Sequence, residues 1–78
     1  LLDRLIQGSS AYDVKREVDG FILVGKPGRL DEFSQVVREA AAHSGDDFVV
    51  FATTDGSHRY SQMFVMPFDD IYSTPPPN

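Results

Sequence analysis

The chain has no cysteine and no tryptophan, and its 12 acidic residues outnumber its 7 lysines and arginines. Without cysteine there is no disulfide and no thiolate metal site, so the chain folds on packing alone, which fits a reducing, cytoplasmic setting. Long apolar runs are missing too. The stretch 21–24, Phe-Ile-Leu-Val, is far too short to cross a bilayer, and no basic, apolar and small-residue series marks a signal peptide. The expectation is a soluble protein with no membrane association. A net charge of −5 argues against a nucleic-acid binder that relies on bulk phosphate neutralisation. The charge is uneven: residues 1–30 sum to +1 and the remainder to −6, with only Arg38 and Arg59 against the acids of the second part.

At 78 residues the chain holds one domain, of a size at which a single core is barely sufficient. Leu1 in place of Met and the closing Ser-Thr-Pro-Pro-Pro-Asn suggest a piece of something longer. The domain is expected over 1–72. In the tail, 73–78, three consecutive prolines favour polyproline II and cannot join a sheet.

What is present is a near-symmetrical pattern. Two apolar hairpins, one turning at Asp19-Gly20 and one near Asp55-Gly56, flank a single amphipathic helix beginning at Asp31. Asp-Gly between apolar runs signals a two-residue type I′ turn, which needs positive φ at both central residues. Leu1, Leu2, Leu5 and Ile6 fall at helical spacing, so 1–7 reads as a short helical segment stopped by Gly8. Residues 11–18 alternate, and an Asp19-Gly20 turn sets Val18 opposite Phe21, with Tyr12, Val14, Val18, Phe21 and Leu23 facing the core. Ile22 and Val24 then lie on the reverse face. Leu30, Phe33, Val36, Val37, Ala40 and Ala41 make the helix stripe, with Asp31 as cap and Gly45 as the left-handed C′ residue. Strands over 48–54 and 59–66 complete the second hairpin, joined by a two-residue or a four-residue loop, and both of its faces are apolar. Along the last strand Tyr60, Phe64 and Met66 oppose Met63 and Val65.

The fold expected is therefore α+β: hairpin, helix, hairpin (ββαββ), a four-stranded antiparallel sheet on one main helix plus a short N-terminal helical segment. The helix returns the chain so that the third strand runs parallel to the second, and a strand order of 2-1-3-4 satisfies this. One helix cannot cover two apolar faces.

Three kinds of site can be drawn on this scaffold. Ile22, Val24, Tyr60, Phe64 and Met66 are the expected contact residues for a protein partner or a second copy, with an acidic end steering a basic partner. Alternatively, Lys26, Gly28, Arg29 and Arg59 gather near the helix N-terminus, where backbone amides and cations attract phosphate or nucleic acid. The segment Gly25-Lys26-Pro27-Gly28 resembles the Gly-x-x-Gly loop of KH domains, which implies contact with a nucleic-acid backbone; it departs from that family in following a strand and in carrying Pro27. Asp46, Asp47, Asp69 and Asp70 gather with His43 at the other end, where oxygen-rich sites take Ca²⁺, Mg²⁺ or Mn²⁺, but the spacing matches no EF-hand loop, and solvated aspartates ending strands and turns are the preferred reading. No metal or cofactor is assigned. No catalytic motif is present, and Asp55, Ser57 and His58 sit in a tight turn where nothing excludes water. A non-enzymatic interaction or regulatory module is the reading that follows.

Overall fold

The computed structural model describes residues 1–68. The elements are α1 (Leu2–Ile6), β1 (Tyr12–Glu17), β2 (Gly20–Gly25), α2 (Leu30–Ala42), β3 (Phe48–Thr54) and β4 (Tyr60–Pro67). The α+β fold, the ββαββ order and the short N-terminal helix are as the sequence predicts. The tail at 73–78, together with Asp69 and Asp70, lies outside the described residues.

The strand order differs from expectation: it is β1-β2-β4-β3, with every neighbouring pair antiparallel. β3 does run parallel to β2, as the helical return requires, but β4 lies between them. The physical reason is charge. β1 carries Asp13, Lys15, Arg16 and Glu17, which suit an edge, whereas β2 is Gly-Phe-Ile-Leu-Val-Gly and can be flanked on both sides.

The first hairpin also shifts by two residues. Glu17 pairs with Gly20 and Arg16 with Phe21, so the turn is Val18-Asp19, and Val18 is 92 % exposed rather than in the core. His58 is the only non-glycine residue with positive φ among those described, so this turn is not type I′. Gly20 serves another purpose. A Cβ there would lie 2.1 Å from the Val65 carbonyl oxygen, so β2 and β4 approach closely only because the side chain is missing. A shift of two preserves side-chain parity, so Tyr12 and Leu23 still face inward.

The core lies between the sheet and α2. Leu23, Phe33, Phe48, Met63 and Val65 are completely buried, with Val37 and Ala40 completing the helix contact. Ser34 is buried in the helix stripe while Ala41 is exposed, which rotates the stripe slightly from the expected one. The first turn of the helix packs against the end of β2 at Gly25, where a Cβ would meet Phe33 at 2.7 Å and Leu30 at 2.8 Å. Its N-cap is Arg29, with no side-chain cap bond, so Asp31 belongs to the first turn instead. Gly45 has φ +100, two residues past the C-cap His43, and its amide donates to the Phe48 carbonyl at 2.7 Å.

α1 extends the helical layer. The buried Tyr12 hydroxyl donates to the Leu5 carbonyl at 2.8 Å, and the Tyr12 and Phe33 rings are 5.5 Å apart, so α1, β1 and α2 meet on the same side of the sheet. Burial pushes the Tyr12 hydroxyl above the ordinary tyrosine pKa.

Candidate functional site

With α1 and α2 on one side, no element among the described residues covers the other side of the sheet. Register places its side chains on a grid. The middle row is Lys15, Ile22, Phe64 and Phe51; one flanking row is Asp13, Val24, Gln62 and Thr53; the other is Glu17, Gly20, Met66 and Val49. At ordinary strand spacings three rows on four strands measure about 20 by 19 Å, or roughly 400 Å² in projection. Ile22, Val24, Val49, Phe51, Phe64 and Met66 form its contiguous apolar part. Phe51 is 63 % exposed, and the others are half-buried by their own neighbours. A shallow depression on this face is lined by Ile22, Phe51, Thr53, Gln62 and Phe64, with Ala52 at its margin. The charges are confined to the β1 column, where Asp13 pairs with Lys26 at 3.7 Å.

Four of the five predicted contact residues, Ile22, Val24, Phe64 and Met66, lie together on this grid. Tyr60 does not. It packs against the core cluster because the β3–β4 register shifts at Thr53/Thr54, one extra residue entering β4 and reversing the parity beyond it. The Tyr60 amide, displaced from the ladder, donates to the buried Ser34 hydroxyl of α2 at 3.0 Å. Val49 and Phe51 belong to the face but are absent from the predicted set. Their parity was legible in the sequence; which parity met the helix was not.

At the helix N-terminus the predicted cations each face a carboxylate. Lys26 meets Asp13, Arg29 Nη1 lies 3.1 Å from Glu32 Oε1, and Arg59 Nε lies 2.9 Å from Asp31 Oδ1. Gly28 has φ +82 in the preceding turn. Asp31 and Glu32 complement the helix dipole themselves, which leaves a phosphate competing with two resident anions. At the opposite end His43 and Asp46 are 3.4 Å apart, and among the described residues no three His, Cys, Asp or Glu side chains gather as metal ligands.

The 55–59 turn is organised by Asp55. Its Oδ1 accepts from the Ser57 hydroxyl at 2.7 Å, the Ser57 amide at 2.9 Å and the Arg59 amide at 3.3 Å. The Ser57 hydrogen bonds hold the Asp55 carboxyl below its ordinary pKa. The Ser57 hydroxyl thus donates to the carboxylate and not to His58, the reverse of what an activated nucleophile needs. The loop has three residues, neither the two nor the four expected, because His58 adopts φ 68 and lets the Asp55 amide donate to the Arg59 carbonyl at 2.8 Å.

No helix among the described residues is long and apolar enough to cross a membrane. Comparison of the chain with protein-family models, with curated proteins and with solved structures returned no match.

Proposed function

We propose that this domain is a non-enzymatic protein–protein interaction module that presents the open face of its sheet to a protein partner. The observation that carries the reading is the placement of α1 and α2, the helices among the described residues, on one side. Six apolar side chains are left contiguous on the other, around an exposed Phe51. Such a patch approaches the few hundred Å² that soluble monomers rarely leave uncovered without an interaction to serve. The confinement of charge to one border column suits a desolvated centre with a polar rim.

The test places a photo-cross-linking side chain at position 51 in cells, with the exposed helix position Gln35 as control. A discrete protein adduct is expected from position 51 alone, lost when Ile22→Lys and Phe64→Lys are added to a chain that still folds by circular dichroism. The same adduct pattern from both positions, or none from position 51, removes the reading. The phosphate alternative is checked by oligonucleotide binding at low salt: absence of any salt-sensitive binding, or binding that survives Lys26→Glu with Arg29→Glu, eliminates it.

A further inference from the structure

The two edges of the sheet are built differently. β1 has four charged residues in six positions, the usual protection against pairing with another chain. β3, Phe-Val-Val-Phe-Ala-Thr-Thr, has none, and no proline or glycine. Its backbone can be accounted for group by group. Val49, Phe51 and Thr53 bond toward β4, so Phe48, Val50, Ala52 and Thr54 direct their amides and carbonyls outward. The α2–β3 loop covers the first part: the Gly45 amide reaches the Phe48 carbonyl at 2.7 Å and the Val50 amide reaches the Ser44 hydroxyl at 3.4 Å. Among the described residues the Val50 carbonyl, both groups of Ala52 and those of Thr54 have no partner, and 51–54 are exposed throughout.

We infer that a second copy of this chain pairs with β3, antiparallel, about a two-fold axis at Ala52, joining two sheets into one of eight strands. The inference rests on the reading of the domain as an interaction module and names one occupant. Charge selects it: a neutral extended strand is required, and the chain's own β3 is one, whereas β1 would bring four charges to the joint. Self-complementarity supports it as well. About Ala52 the free donors meet the free acceptors, Ala52 with its symmetry mate twice and each Thr54 amide with the opposite Val50 carbonyl, while Ser44 and Gly45 stop the ladder beyond. Parity is kept, so Phe51 falls beside the opposite Thr53 and the two open faces become continuous. A joint this short belongs with weak interfaces of less than about 1,200 Å², and the charge of −5 on each copy opposes it, so salt strengthens it.

Equilibrium sedimentation from about 10 µM to about 1 mM tests this. The wild-type chain is expected to dimerise, more tightly at high salt. Ala52 is exposed, so Ala52→Lys and Ala52→Glu leave the fold intact by circular dichroism; each is expected to weaken the dimer about tenfold, because like charges face each other across the axis. An equal mixture of the two variants is expected to restore association, which only a 52-to-52 contact explains. A monomeric wild type at every concentration overturns the inference. A dimer indifferent to both substitutions but broken by Phe64→Lys overturns it too, placing the second copy on the open face and sparing the interaction-module reading.

Discussion

Replacing Gly20 by alanine tests the strand order directly. The added Cβ would sit 2.1 Å from the Val65 carbonyl oxygen, 3.1 Å from its carbon and 3.2 Å from the Met66 Cα. A tolerable contact needs at least 3.0 Å, so β2 and β4 must separate by close to an ångström at this point. The obstacle is backbone in a strand flanked on both sides, which cannot swing aside as a side chain can. Separation on that scale breaks the hydrogen bonds of the Phe21–Val65 pair, at about 1 kcal/mol each, and adds overpacking strain of about 1–3 kcal/mol. These sum to about 3–5 kcal/mol, and even the lower figure of about 3 kcal/mol is a large part of the roughly 4–12 kcal/mol available to a domain of this length. That lower figure corresponds to a fall in Tm of about 12–24 °C in thermal melts followed by circular dichroism. Gly20→Asn separates the two possible roles of this residue: in a type I′ turn asparagine is tolerated, whereas against the Val65 carbonyl it is as costly as alanine. Gly56→Ala is the control, since nothing lies within 4 Å of its Cβ position; it should be neutral or stabilising by about 0.4–1 kcal/mol. A Gly20→Ala chain within about 0.5 kcal/mol of wild type would refute the β2–β4 contact and the strand order with it.

Ser34→Ala leaves the Tyr60 amide without its acceptor and is expected to cost about 1–3 kcal/mol in urea denaturation, against a few tenths gained in helix propensity; an unchanged midpoint would mean that the bulge is not pinned to α2. Asp55 has a depressed folded pKa, so its contribution to the second hairpin is present above the unfolded carboxylate pKa and is lost as pH falls through the lower folded value. Amide exchange at Ser57 and Arg59 should accelerate over that acid range beyond its intrinsic pH dependence, and Asp55→Asn should abolish the extra acceleration; identical profiles would show that the carboxylate does not hold the turn.

Periodicity made most of the elements legible. The alternation from Tyr12, the stripe from Phe33 to Ala40 and the Asp-Gly signals place both hairpins and the helix. The strand order was legible too, but only by a comparison between strands. If β1, with four charges, is an edge and β3 runs parallel to β2, then an all-antiparallel sheet must place β4 beside β2. The register of the first hairpin was less accessible, because the Asp-Gly turn signal competed with a steric demand on Gly20 that arises only once β4 is in place. Tyr60 escaped because a bulge reverses parity, and its partner Ser34 lies 26 positions away on another element. Val49 and Phe51, ahead of the bulge, could be paired with each other by parity, but which parity meets the helix is set only by packing against α2.

Among the described residues one face stays uncovered because of where α1 lies. A second helical segment could have crossed to the far side and completed a three-layer domain. Instead its Leu5 carbonyl is held by the Tyr12 hydroxyl, and Leu5, Ala11 and Tyr12 join the α2 core. At five residues, about 8 Å, α1 would in any case have covered less than half the length of the far face. The helical layer is thus thickened where it was already adequate, and Ile22, Phe64 and Phe51 keep their exposure beside an edge strand that carries no charge. In a domain this small, leaving a row of that kind uncovered gives up burial that folding could have used. On the proposed reading a bound protein surface would recover it, which would make partner binding and folding stability a single linked quantity: occupancy of this face is expected to stabilise the domain by RT ln(1 + [L]/Kd), read as a rise in melting temperature.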